Sequence, residues 1–181
     1  MENNFIIAGF GGQGVLFAGK VLANAFMLAG KNVTWYPCYG AEMRGGTVNC
    51  EIVISDDEVS SVHKEKADCI IALNQLSFDR FINTVKSAGR IFSNSSLVTK
   101  EIKSRNDIEY LSLPMTKIAE DSGNNKLANM VAIGALSNLY KELNESILTI
   151  AIQQVLGEAK KNFLEGKLNG LKLGINSFAR V

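Results

Sequence analysis

Phe5-Ile6-Ile7-Ala8-Gly9-Phe10-Gly11-Gly12-Gln13-Gly14 is the stretch that decides how this chain is read. A short apolar run feeds a glycine loop, and an amphipathic pattern starts directly behind it. Val15, Ala18, Leu22, Ala25 and Ala29 fall on one stripe, and Gly30 stops the helix. A buried strand opening through glycines into a helix suits an anion. Glycines let backbone N–H groups approach closely, and the unpaired amides and dipole of the helix N-terminus favour negative charge. The spacing Gly9, Gly11, Gly14 also matches the dinucleotide fingerprint. That fingerprint expects a carboxylate at the end of the second strand. Here Thr34-Trp35-Tyr36-Pro37 stand there, and no acid occurs until Glu42.

Working outward, strands are expected at Asn4–Ala8, Asn32–Pro37, Val48–Ser55, Ala67–Leu73, Arg90–Ser93 and Ile108–Leu113. In the third, Asn49 and Glu51 alternate with Val48, Cys50, Ile52 and Ile54, which predicts partial exposure and an antiparallel or edge position. Ala67–Leu73 is almost continuously apolar, as in buried parallel strands. Helices are expected at Gln13–Ala29, Gln75–Ser87, Thr116–Ser122 and Asn125–Leu143, the last apolar nearly all round between Met130 and Leu136. Asn144 or Ser146 caps a further helix to about Lys160, and the tail 162–181, with its glycines, reads as irregular with a short helical piece. The sum is an α/β fold: a single three-layer, Rossmann-like domain over 1–181, with a mostly parallel sheet, an antiparallel or edge strand and a helical C-terminal region. Ligands on such sheets sit at the carboxyl ends of the strands.

Composition narrows the function. The 181 residues are 46% hydrophobic and 20% charged, and 19 Lys+Arg against 18 Asp+Glu leave a formal charge of +1, which argues against nucleic acid. Met1-Glu2-Asn3-Asn4 carries no basic region, and Lys20 interrupts the most apolar helix, so neither a secretory signal nor a membrane span is expected and the placement is cytoplasmic. Cys38, Cys50 and Cys69 are too widely spaced for a zinc knuckle or an iron–sulfur motif and read as buried free thiols. His63, the one histidine, lies in a polar loop.

A second cluster, Tyr39-Gly40-Ala41-Glu42-Met43-Arg44-Gly45-Gly46, follows strand two. An Arg guanidinium forks onto a phosphate or carboxylate, and Gly45-Gly46 allow a sharp turn beside it. Arg44 can equally pair with Glu42 or with a partner chain. The three segments 9–14, 39–46 and Asn129-Met130-Val131-Ala132-Ile133-Gly134-Ala135-Leu136, in this order, resemble the gamma subunit of the 2-oxoacid:ferredoxin oxidoreductases. The resemblance runs over nearly the whole chain, and the pairing of the first two segments is its most specific element.

The resemblance implies a component of a thiamine-dependent complex that oxidatively decarboxylates pyruvate, 2-oxoglutarate or branched 2-oxoacids to acyl-CoA. It implies alpha, beta and delta (ferredoxin-like) partner subunits that carry thiamine diphosphate, magnesium and iron–sulfur clusters, and ferredoxin as electron acceptor. It also implies a part for this chain in binding coenzyme A and in assembly, with the isolated chain inactive. The wording of the two glycine segments favours 2-oxoglutarate or 2-oxoisovalerate over pyruvate, and indolepyruvate least, because those relatives carry His where Tyr39 stands. The Met1 start implies a separate subunit. Gly9, Gly11, Gly12, Gln13 and Gly14 are expected as backbone and amide donors, Arg44 as the charged contact, Tyr39, Gly45 and Gly46 as loop-shaping residues, and Asn129 as a polar contact or a buried Asn bonded to backbone. Two alternatives stand beside this: an assembly subunit that binds no ligand, and an independent NAD(P)- or FAD-binding oxidoreductase. Phe26, Met27, Trp35, Met43 and Phe78 are candidates for an apolar partner face, which predicts self-association or low solubility of the isolated chain.

Overall fold

The computed structural model describes residues 2–39, 47–99 and 105–178. In chain order the elements are β1 (Glu2–Phe10), α1 (Val15–Leu28), β2 (Asn32–Tyr39), β3 (Thr47–Ser55), β4 (Ala67–Ala72), α2 (Gln75–Phe81), β5 (Val85–Asn94), β6 (Glu109–Leu113), α3 (Met115–Asp121), α4 (Ala128–Ser137), α5 (Glu145–Leu156) and α6 (Leu164–Phe178). The strands form one sheet in the order β2-β3-β1-β4-β5-β6. β3 runs antiparallel to both its neighbours, and β1, β4, β5 and β6 are mutually parallel.

The two faces of the sheet are covered unequally. Phe5, Ile7, Cys50, Ile52, Cys69 and Ile71 bury under α1, α4, α5 and α6. Ile6, Ala8, Ile70, Ala72 and Ile91 bury under Phe78 of α2 and Ile82 of the short turn behind it. Fully burying one such Ile, Leu or Phe stabilises the fold by about 1.5–3 kcal/mol. On the thicker side Phe5, Phe26 and Tyr140 form an aromatic triangle with centroids 5.2–6.2 Å apart. Each such pair adds about 0.5–1.5 kcal/mol beyond its area.

Several expectations are corrected. β3 is antiparallel as expected, but it is interior, and its polar positions are not exposed: Glu51 is 5% exposed. Its carboxylate is matched by His63 Nδ1, 2.9 Å from both oxygens. Alternating polarity therefore marked a buried carboxylate hydrogen-bonded to an exposed histidine, not a wet face. The helix expected to reach Ser87 ends at Phe81, because Val85–Ser87 already belongs to β5 and Val85 stands opposite Ala67 of β4. The helix expected to reach Leu143 ends at Ser137 in tight turns, with Tyr140 N–H donating to Ser137 O. That turn delivers Tyr140 to Phe5 and Phe26. Among the apolar-face candidates, Phe26 and Phe78 are core, Met27 is 60% exposed, Trp35 is half-buried, and Met43 lies outside the described residues.

The largest correction is the tail, most of which is the 15-residue helix α6. Three glycines cost such a helix about 1 kcal/mol each relative to alanine. Packing offsets them. A Cβ on Gly174 would collide with the Val131 carbonyl, and one on Gly134 with the Leu171 carbonyl. A Cβ on Gly170 would stand 3.0 Å from the Met130 Cβ. Bare backbone on both helices lets α4 and α6 lie nearly against one another, burying Asn129 through Leu136 completely.

Candidate functional site

The glycine loop opens from the carboxyl end of β1, and its shape depends on two positive φ values. Gly12 stands at φ +105° and Gly14, the residue before α1, at φ +73°. Gly14 offers no side-chain cap, and the first turn of α1 carries no acidic residue. Among the described residues the leading amides of α1 therefore have no capping side chain at Gly14 and no first-turn carboxylate to answer the partial positive charge of the helix end.

Gln13 braces the loop. Its Oε1 accepts from Phe10 N–H at 2.7 Å and from Asn74 Nδ2 at 2.9 Å, and its Nε2 donates to Leu73 O at 3.3 Å. A Cβ on Gly9 would stand 2.7 Å from that Oε1, so Gly9 makes room for the brace. Asn74 also caps α2 by accepting from Ser77 N–H at 2.9 Å. The network continues through Asn94, whose Nδ2 donates to Leu73 O at 3.2 Å and to Thr116 Oγ1 at 2.8 Å. Loops from the ends of β1, β4, β5 and β6 are thereby tied into one floor. Asn129, from the buried start of α4, donates from Nδ2 to Gly14 O at 3.1 Å, while its Oδ1 has no hydrogen-bond partner among the described residues.

Two cavities flank Gly12. One, of about 220 Å³, is lined by Gly12, Gln13, Asn94, Thr116, Asn125 and Lys126, among others. The other, of about 280 Å³, is apolar and is lined by Phe10, Gly11, Gly14, Leu16, Phe17 and Val48. Among the described residues Lys126 is the one ionisable residue lining either. The arrangement can therefore bind and position, and among the described residues its lining contains no carboxylate, histidine or cysteine.

Gly9, Gly11, Gly12, Gln13, Gly14 and Asn129 thus come together, though the carboxamide of Gln13 serves the loop itself. Tyr39 ends β2 opposite Val48, and Thr47 begins β3 opposite Phe10, so the stems of the second glycine segment stand at the same end of the sheet as the first loop. Arg44, Gly45 and Gly46 lie outside the described residues. Asn74, Asn94, Thr116 and Lys126 were not anticipated. The two asparagines close the strands Ala67–Leu73 and Arg90–Ser93, and an Asn in that position was the available signal.

The topology weighs against the dinucleotide alternative. A Rossmann ribose is held from the tip of a parallel strand next to β1. That neighbour here is β3, running the opposite way, with β2 one strand further out. The thiols of Cys50 and Cys69 are each pushed up to about 12 by burial, which makes both inert. Among the described residues no group of three or more His, Cys, Asp or Glu is placed to hold a metal, and no helix is long and apolar enough to cross a membrane.

Residues 4–176 match the pyruvate ferredoxin/flavodoxin oxidoreductase family. The ketoisovalerate oxidoreductase subunit VorA of Methanothermobacter marburgensis is 37% identical over 133 residues, and the aligned part spans 74% of this chain but 27% of VorA. The 2-oxoglutarate synthase subunit KorC of Archaeoglobus fulgidus is 36% identical over 162 residues, spanning 89% of this chain and 82% of KorC. Among solved structures, the keto/oxoacid ferredoxin oxidoreductase gamma subunit of Geobacter sulfurreducens superposes with TM-score 0.84 at 26% identity, covering 99% of this chain and 98% of that one. The 2-oxoglutarate:ferredoxin oxidoreductase of Magnetococcus marinus, determined with 2-oxoglutarate, coenzyme A and succinyl-CoA bound, gives TM-score 0.87 at 22% identity over 99% of this chain and 31% of that one, a likeness of fold. From the match over nearly its whole length and the end-to-end alignment with KorC, this chain belongs to the pyruvate ferredoxin/flavodoxin oxidoreductase family.

Proposed function

We propose that the chain is the gamma-type component of a 2-oxoacid:ferredoxin oxidoreductase, and that its glycine loop holds the phosphate-bearing part of coenzyme A. The complex would convert 2-oxoacid, CoA and oxidised ferredoxin to acyl-CoA, CO₂ and reduced ferredoxin, with 2-oxoglutarate the favoured acid because KorC-type relatives align with this chain nearly end to end. Thiamine diphosphate, with magnesium, would supply the decarboxylation from alpha and beta subunits, and iron–sulfur clusters there or in a delta subunit would pass electrons to ferredoxin. Among the described residues the lining of the two cavities contains no carboxylate for a magnesium diphosphate, while the polar one, with Lys126 beside the loop, suits a phosphate ester.

One observation carries this reading: a helix start behind Gly12 and Gly14 with no side-chain cap, flanked by cavities whose one ionisable lining group among the described residues is a lysine. The loop amides and the α1 terminus would take a phosphate, worth about 0.3–1 kcal/mol for the dipole at an exposed site and about 2 kcal/mol when partly buried. The braces from Gln13 and Asn129 would keep those donors aimed without rearrangement on binding.

The test uses the assembled complex. Coenzyme A should slow amide exchange at 9–14 and 39–46, and the isolated chain with thiamine diphosphate and 2-oxoglutarate should reduce no viologen dye. Exchange there that ignores coenzyme A would leave an assembly subunit. Dye reduction by the chain alone would remove the division of labour.

A further inference from the structure

α6 brings a charge to the N-terminal loop. Lys167 lies on this helix, one residue behind Gly166, and its Nζ stands 5.0 Å from the centroid of the Phe17 ring. Phe17 is a wall of the apolar cavity against Gly11, Gly12 and Gly14. Burial lowers the Lys167 ammonium from its ordinary pKa, with no compensating carboxylate among the described residues. Eight of the chain's lysines and arginines hold carboxylates in ion pairs among the described residues, but Lys167 does not. A ring face recovers about 0.5–2 kcal/mol for a cation taken partly from water. A phosphate would recover more, through a shorter, charge-assisted bond. Across Gly12, Lys126 lines the polar cavity, likewise without a carboxylate partner among the described residues. Two cations therefore bracket one glycine saddle whose own N–H groups also favour anions.

From this bracket we infer that Lys167 is a ligand-binding residue of the site, leaving the Phe17 ring to grip a phosphate of the bound thiol, so that the ligand is recognised by at least two separated anionic groups. This rests on the reading that the glycine loop binds coenzyme A. Pantetheine, which carries the same thiol without phosphates, is the discriminating probe.

In the assembled complex, Lys167→Gln should raise KM for coenzyme A by about tenfold, the size of one charge-assisted hydrogen bond. KM for the 2-oxoacid and the rate with pantetheine should not change, and Lys167→Arg should recover most of the loss. The second readout needs no variant. In the wild-type complex, coenzyme A but not pantetheine should protect Lys167 from acetylation by an N-hydroxysuccinimide ester, read by mass spectrometry. Equal protection by both thiols, or by neither, would overturn the assignment. Gly12→Asp, measured against Gly12→Asn, which strains the same φ +105° backbone without adding a charge, separates the two claims. If it raises KM for coenzyme A while Lys167→Gln and the labelling show nothing, the loop reading stands and Lys167 is dismissed. If Gly12→Asp also leaves KM unchanged, the loop reading itself falls.

Discussion

Residues 9–14 and 166–174 are both glycine-rich, and glycine serves a different purpose in each. In the first, Gly12 and Gly14 are needed for dihedrals that L side chains avoid. In the second, Gly170 and Gly174 have ordinary helical backbone, and what matters is the missing side chain, because α4 occupies its place. One segment uses glycine to turn the chain, the other to bring two backbones together. A sequence displays the letter and its spacing. The physical reason becomes visible only once the neighbouring element is in position.

Substitutions can break the comparison, and Gly174→Ala should have the largest effect. Its methyl would strike the Val131 carbonyl, so helices must separate. A loss of about 3 kcal/mol is expected, lowering Tm by roughly 6–12 °C in a calorimetric scan. A change below about 1 °C would show that the α4–α6 contact is softer than described. Gly14→Ala combines a positive φ with a collision against the Asn129 amide, and about 2 kcal/mol should be lost in a urea titration. Gly166→Ala inverts the outcome. Nothing lies within 4 Å of its added Cβ, so the helix should gain about 0.5–1 kcal/mol. If alanine at 166 destabilises as it does at 174, the stripe acts as a whole and not through individual contacts.

Acidification should produce the smallest effect and leave both glycine segments intact at first. The Lys31 ammonium beside Asp56 holds its carboxyl down at about 2, below the ordinary carboxylate value. A depressed carboxylate contributes stability above its unfolded pKa and loses it as pH falls through the folded one. Weakening should therefore appear between about pH 4 and pH 2, first as faster amide exchange where β2 meets β3, and salt should screen it. Loosening of 9–14 at the same pH would mean the loop depends on a charge not identified at the site.

Much of the fold was legible because its strands are short, apolar and punctuated. β1, β2, β3 and β4 lie within about two residues of expectation, and the antiparallel strand was anticipated from its alternating polarity. Errors arose where a tertiary partner outweighed local preference. The tail's glycines argued against a helix until α4 supplied the surface that fits them. Glu51 argued for exposure until His63 supplied its partner. The long helix stopped early because Tyr140 is wanted beside Phe5. At the site, Gly9 through Gly14 and Asn129 could be picked from spacing and motif. Asn74 and Asn94 carried only the weak signal of closing a strand, since they come from segments about 60 to 80 residues away that only folding brings near.

The insertion of β3 between β1 and β2 has a kinetic consequence. β2 and β3 form an antiparallel pair close in sequence, whereas β1 finds partners only at Thr47–Ser55 and Cys69–Ala72. Pairings of such separation close long loops and come late. The β2–β3 pair is thus set to nucleate early, with β1 docking afterwards into the gap between it and β4. β1, although it precedes its partner strands in the chain, is then among the later segments to take its final shape, and the glycine bend behind it forms on a sheet whose other pairings are already made.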